Sequence, residues 1–135
     1  MVITTAGKQP MSGQFAIPIE VETFYIENQS DASAARFVFA YTITIRNQSE
    51  QKVKLLRRYW SIMDANGKHS EVYGDGVIGE QPELSPGTSY TYTSGAVLET
   101  PVGTMQGHYE MTAATGESFK APIPVFRLAI PNILN

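Results

Sequence analysis

The sequence has 135 residues, 42% of them hydrophobic and 17% charged, with a formal net charge of −3. That length suits one domain whose chain loses about 68% of its unfolded surface on folding, and the composition excludes a disordered polymer. The absence of cysteine excludes a disulfide framework, a thiolate metal centre and a thiol nucleophile, and no basic run beyond Arg57-Arg58 exists to neutralise the phosphates of a nucleic acid.

Met1 to Gln14 shows neither a basic n-region nor an apolar h-region, so a cytoplasmic protein without a secretory signal is expected. No apolar run approaches the ~20 residues that span a bilayer, so no membrane association is expected. Residues 1–14 read as a flexible tail, with Met11 a second candidate start, and residues 15–135 as a single domain.

From there the chain alternates with a period of two, the signature of half-buried strands. Ile17, Ile19 and Val21 share a face opposite Glu20 and Glu22. Asn28-Gln29-Ser30 and Asn47-Gln48-Ser49, formal glycosylation sequons, read as turns. Between them, Phe37, Phe39, Tyr41, Ile43 and Ile45 line one bulky face opposite Val38, Ala40, Thr42 and Thr44. A one-residue slip would expose that whole face, so its register is strongly specified. Val53 to Asp64 is the next strand, with Trp60 beside Leu56 and Ile62, and Asn66-Gly67 turns it into a short strand at His69 to Tyr73.

Strands at Thr88 to Thr93 and Met105 to Ala113 follow, and Thr115-Gly116 turns the second back toward Phe119. In the last strand Phe119, Ala121 and Ile123 have one parity and Phe126, Leu128 and Ile130 the other. A switch beside Pro122 and Pro124 predicts a bulge on an edge strand, because proline cannot donate to a ladder. About seven such strands predict an all-β, antiparallel two-sheet sandwich. Leu84-Ser85-Pro86-Gly87-Thr88-Ser89-Tyr90 resembles the corner segment of fibronectin type III domains, which predicts a Tyr90 hydroxyl bonded back to upstream backbone.

Several ordered segments together resemble the ApaG family. They are Tyr41 to Ile45, then Arg58, Trp60, Ile62, Asp64 and Gly67, the Gly74 to Pro82 loop, Leu84 to Gly87, Tyr92 to Gly95, Thr100 to Gly107, and Ile123 to Phe126. The resemblance implies a fibronectin III-like or immunoglobulin-like sandwich with no established enzymatic activity. It also implies a genetic link to cobalt resistance and magnesium efflux. Related domains recur in larger eukaryotic proteins, among them an F-box protein and a DNA polymerase delta-interacting protein, a pattern that suits a binding or adaptor module.

Gly74-Asp75-Gly76-Val77-Ile78-Gly79 has the G-x-G-x-x-G spacing of phosphate-binding loops. Pro82 and Pro86 follow too closely for the helix that a dinucleotide site requires, and no Gly-Lys-Ser/Thr run makes a P-loop. A helix-free nest at Gly74, Gly76 and Gly79 remains open as an anion or pyrophosphate site, with Arg57, Arg58 and Lys68 as its cations and Asp75 and Glu80 opposing it. The competing reading is that the glycines only set the shape of the loop.

Asp64, Glu71, Asp75, Glu80 and Glu83 are weak candidates for a hard cation, since their spacing matches no calcium loop. His69 and His108 are the only histidines, and His108 falls beside Glu110 on a solvent-side face. No serine lies in a G-x-S-x-G elbow, so no catalytic residue is assigned and no cofactor is expected. Arg58, on the side of Leu56 and Trp60, is expected to be partly buried and paired with Asp64 or a backbone carbonyl in a structural role, the alternative being a recognition hot spot. The sequence therefore leads to a non-enzymatic adaptor that binds a protein partner through a sheet edge or end loops. The alternative is a small-ligand sensor for a nucleotide, pyrophosphate or divalent cation at the Gly74 to Pro82 loop. Open edges also permit a homodimer, though Lys120, Pro122 and Pro124 oppose it on the last strand.

Overall fold

The computed structural model describes residues 15–132, so the tail expected at residues 1–14 lies outside the described residues. Eight strands follow in order: β1 (Ile19–Tyr25), β2 (Phe37–Arg46), β3 (Val53–Asp64), β4 (His69–Asp75), β5 (Glu83–Leu84), β6 (Ser89–Leu98), β7 (Val102–Ala113) and β8 (Ser118–Ala129). They form two antiparallel sheets, one ordered β1-β2-β6, the other β4-β3-β7-β8 with β5 added to β3. The expected sandwich is present. The strand beyond the seven expected is β5, whose two residues are too few to show a period. Among the described residues no helix is long and apolar enough to cross a membrane.

Alternation explains how the layers meet. Phe37, Phe39, Tyr41, Ile43 and Ile45 of β2 are all buried, with Ile19 and Val21 of β1 beside them. Leu55, Trp60, Met105, Tyr109, Met111, Phe126 and Leu128 close the core from the other sheet. Trp60 stands edge-on to Tyr41, Phe126 and Tyr109 at centroid distances of 5.3, 5.7 and 6.5 Å. Each such contact stabilises by roughly 0.5–1.5 kcal/mol beyond area burial. On the outer side of the small sheet, Thr42 pairs with Thr93 and Thr44 with Thr91 through their hydroxyls, at 2.7 and 3.2 Å.

Two bulges reset the alternation. In β8, Met105 faces Phe126 and Gly107 faces Ile123, so β8 carries one extra residue beside Pro124, as its parity switch predicts. In β3, Met111 faces Leu55 and the adjacent Glu110 faces Arg57, leaving Leu56 as the extra residue. Leu56 is therefore not a core neighbour of Trp60 as expected; Leu55 is the fully buried one. Past the bulge, Arg58, Trp60, Ile62 and Asp64 take the inward parity, and Arg57 and Tyr59 take the outward one.

Both sequons are turns, as read. Glu27–Gln29 forms a 3-10 turn, and the Asn47 carboxamide oxygen accepts from the Ser49 amide and hydroxyl at 2.9 and 2.6 Å. The tyrosine corner takes a different form from the one expected. Tyr90 donates to the Glu80 carboxylate at 2.8 Å, not to backbone. Asn47, fully buried, ties that corner instead: its Nδ2 donates to the Leu84 and Gln51 carbonyls at 2.9 and 2.7 Å, and its carbonyl accepts from Gly87 at 2.7 Å.

Candidate functional site

The glycine triplet leaves the end of β4 and folds into a tight hairpin. Ile78 and Gly79 both have positive φ, 49° and 74°, and Val77 and Glu80 exchange amide-to-carbonyl bonds of 2.8 and 3.0 Å around them. That is the type I′ turn that suits twisted strands. Each glycine has its own reason. At Gly76, with φ 61°, a Cβ would lie 2.2 Å from the Glu80 carbonyl oxygen, so no side chain fits. Gly79 meets nothing within 4 Å and serves only its backbone angle, while a Cβ at Gly74 would lie 3.1 Å from Arg58 Nη1. The Gly76 amide and Gln81 Nε2 both donate to the carbonyl of the bulged Leu56, at 2.8 and 3.0 Å, so the bulge also anchors the loop. The amides of Gly76, Val77 and Glu80 are thus engaged in the loop's own bonds, and the chain continues into β5.

Beneath the loop lies a pocket of about 270 Å³, walled by Tyr41, Trp60, Tyr92 and Ser94 from the strands and by Asp75, Val77, Ile78 and Gly79 from the end of β4 and the loop. Arg58 projects into it, half-buried. Its Nη1 donates to the carbonyls of Asp75 and Gly76, each at 3.0 Å. The expected carbonyl pairing is therefore present. Asp64 is not its partner, because that carboxylate accepts from the Asn66 and Lys68 amides, 2.8 and 2.9 Å away, in the β3–β4 turn. Among the described residues no carboxylate lies within 4.0 Å of the Arg58 guanidinium nitrogens, whereas Arg46, Lys52, Arg57 and Lys68 each have one.

The pocket floor is phenolic. Tyr92 and Tyr109 share a buried hydroxyl–hydroxyl bond, and Tyr41 lies opposite Ser94 in the β2–β6 register. Burial pushes all three phenols above the ordinary value of 10.0, although Arg58 pulls each back. They are neutral hydroxyls at physiological pH.

The other candidates lie elsewhere. Arg57 points outward and donates to Glu110 at 2.9 Å. Lys68 precedes β4 at the end opposite the loop, roughly 23 Å away at 3.3 Å per residue, and pairs with Glu99 at 2.9 Å. Of the three basic candidates only Arg58 lines the pocket. Asp64 and Asp75 stand near opposite ends of the β3–β4 ladder, and Glu80 holds Tyr90. Among the described residues no three of His, Cys, Asp and Glu come together as a metal set.

The outer face of the larger sheet holds a separate network. Tyr73 donates to Glu110 at 2.8 Å, Tyr59 donates to Glu71 at 2.7 Å, and His108 stacks on Tyr59 with centroids 5.1 Å apart. His108 does stand beside Glu110, but at 3.6 Å the two do not form the hydrogen-bonding pair that the alternation suggests, and His108 Nε2 is buried without a hydrogen-bond partner among the described residues. The Arg57 guanidinium, with the Tyr73 hydroxyl, holds the Glu110 carboxyl below its ordinary value. A shallow cleft of about 290 Å³ lies between Leu56, Arg57, Glu110, Phe119 and Lys120, and of its three charges Arg57 and Glu110 pair with each other.

Sequence reasoning missed Tyr41, Tyr92 and Ser94 as site residues, reading the tyrosines only as strand faces. The available signal was the run Tyr90, Tyr92 and Ser94 at one parity of β6, where apolar residues are the norm for an inward face.

Fold and pocket together define a small antiparallel β-sandwich domain with a polar pocket roofed by a glycine loop. A family model described as the ApaG domain matches residues 27–113. Protein ApaG of Pectobacterium carotovorum is 56% identical over 117 residues, covering 87% of this chain and 94% of that protein. Protein ApaG of Proteus mirabilis is 57% identical over 119 residues, covering 88% and 95%. The crystal structure of a Bordetella pertussis protein designated ApaA superposes with a TM-score of 0.86 at 40% identity, covering 88% of this chain and 97% of that one. The chain belongs to the ApaG family.

Proposed function

We propose that this chain is a non-enzymatic adaptor that engages a protein partner by lending the free edge of β6 to an extended segment of that partner. The observation that carries this reading is the contrast among the sheet edges. β8 is blunted by Lys120, Pro122, Pro124 and a bulge, and β1 carries Glu20 and Glu22. β6 presents Ser89–Leu98, ten residues without a charge or a proline, and pairs only with β2 among the described strands. Natural sheets rarely leave such an edge undefended, and strand addition is a standard mode of peptide capture. In this reading the cobalt and magnesium phenotypes implied by family resemblance act through the partner, with no metal held by this chain.

The sensor reading has less support. Three loop amides are engaged internally, and Arg57 and Lys68 are held by Glu110 and Glu99. The two readings separate in one comparison. Nucleotides, pyrophosphate, Mg²⁺ and Co²⁺ are titrated against labelled protein by NMR, and partners are captured with wild-type chain and with a Thr93→Lys/Val97→Lys variant that charges the β6 edge. The adaptor reading expects partner capture that the variant loses while its fold persists. Saturable shifts centred on Gly74, Gly76 and Gly79, or a partner retained equally by the variant, would sink it.

A further inference from the structure

We infer that the Arg58 pocket is a carboxylate-recognition subsite, which seats an acidic side chain of the extended segment that pairs with β6. The inference rests on the adaptor reading above and names the chemistry of the partner.

Four observations converge on it. Arg58 is the inward, half-buried member of its pair, and no carboxylate among the described residues neutralises it. Its Nη1 is fixed by the Asp75 and Gly76 carbonyls. No hydrogen bond from its Nε or Nη2 joins a described residue, and neither atom is sealed from solvent. The guanidinium is thus held at one corner, with donors left for a planar carboxylate.

Second, Ser94 and the neutral phenols of Tyr41 and Tyr92 supply hydroxyls on the same walls. Third, Tyr92 and Ser94 belong to β6 itself, so a strand added to its free edge runs along the mouth of the pocket. Successive residues of an added strand point to alternate faces, so one parity of the guest faces Arg58.

Fourth, size and charge select the ligand. About 270 Å³ accommodates an Asp or Glu side chain and falls below the usual range of small-molecule pockets. A single cation, with Asp75 and Glu80 in the roofing loop, suits a monoanion better than a di- or triphosphate. Asp75 lines the pocket and offers its carbonyl to Arg58, while its register with Arg57 assigns its side chain to the outer face; the Glu80 carboxylate is held by Tyr90.

The test uses the full-length, labelled wild-type chain and two capped pentapeptides of alternating Thr and Val, one with a central Glu and one with Gln. Each is titrated to millimolar concentration, while the β6 amides and the Arg58 Nε resonance are followed by NMR. Acetate and inorganic phosphate are titrated separately. The inference expects both peptides to shift β6 amides, with the Glu peptide alone shifting Arg58 Nε and binding about tenfold or more tightly, the gain of a charge-assisted hydrogen bond. Arg58→Lys, which keeps the charge but loses the fork, should remove most of that preference while preserving the amide spectrum.

Equal affinities for the two peptides would overturn the carboxylate subsite and leave the β6 edge standing. Arg58 shifts with acetate, but no β6 shifts with either peptide, would overturn the edge reading and show the carboxylate site to act alone. Silence at both positions overturns both. Phosphate that binds more tightly than acetate would reassign the pocket to phosphate.

Discussion

Arg57 and Arg58 are adjacent, yet they sit in opposite electrostatic worlds. On the outer face Arg57 lies in a closed circuit with Glu110 and Tyr73, largely exposed to water. One residue on, Arg58 faces inward under the glycine loop, with backbone carbonyls and phenols for neighbours and, among the described residues, no ion-paired carboxylate. The bulge at Leu56 makes the difference, because it hands the inward parity from the odd to the even residues of β3. The lesson concerns satisfaction. A charged group on a solvated face finds its counterion within its own sheet, whereas one turned inward keeps donors in reserve.

The tyrosines repeat the contrast and provide its most severe test. Tyr59 and Tyr73 are raised chiefly by hydrogen bonds to Glu71 and Glu110, while Tyr92 and Tyr109 are raised chiefly by burial. A phenol that holds its proton more tightly when folded contributes stability that is complete below pH 10.0, its ordinary value. That stability drains away as pH rises through the folded value. Alkaline titration followed by tyrosinate absorbance and circular dichroism should therefore show Tyr92 and Tyr109 ionising only together with cooperative unfolding. Ionisation of all seven tyrosines near their ordinary value with the fold intact would break the comparison.

The next largest effect lies in the roof of the pocket. Gly76→Ala drives a Cβ onto the Glu80 carbonyl and should cost about 3 kcal/mol or force the loop open. Gly79→Ala meets open space and should cost only about 1 kcal/mol of backbone strain. Chemical denaturation of both variants checks the ranking; equal costs would mean that the loop is not built as described.

The arginine pair itself comes third. Arg58→Met removes two charge-assisted bonds to carbonyls and should cost about 1 kcal/mol. Arg57→Met removes an exposed ion pair and should leave the melting temperature unchanged within error, because such pairs are screened. The reverse order would erase the distinction between the faces.

The smallest effect is on the acid side. Arg57 and Tyr73 hold the Glu110 carboxyl below 4.5, so this group's contribution is present above that value and is lost as pH falls through the lowered one. Added salt should raise the Glu110 titration midpoint by NMR and bring Tyr73 back toward its ordinary value, yet leave the Tyr92 and Tyr109 shifts in place. A salt-sensitive Tyr92 would mean that neighbouring charge, and not burial, raises it.

What could be read in advance tracks the range of the interaction. Phe37 to Ile45 announced their face because alternation is local, and the Pro122–Pro124 switch announced its bulge because it changes the parity of one chain. The Leu56 bulge left no such mark: Leu55 and Leu56 are both apolar, and which is extra depends on how β7 aligns beside them. The Tyr90 partner was misread for the same reason, since a phenol at a corner reaches backbone or a carboxylate according to which loop lies opposite it.

By itself the sequence determined the strands, the sandwich, most of the core and the family, all written in short-range periodicity and ordered motifs. Tertiary structure alone decided that Gly74 makes room for a guanidinium, that Asp64 serves the β3–β4 turn and not Arg58, and that Arg58 shares a pocket with Tyr41, Tyr92 and Ser94. The physical reason is that strand alternation fixes only the side of a sheet a residue faces. Which charges meet across the sandwich depends on the pairing of strands far apart in sequence, and a single extra residue in one of them changes the answer.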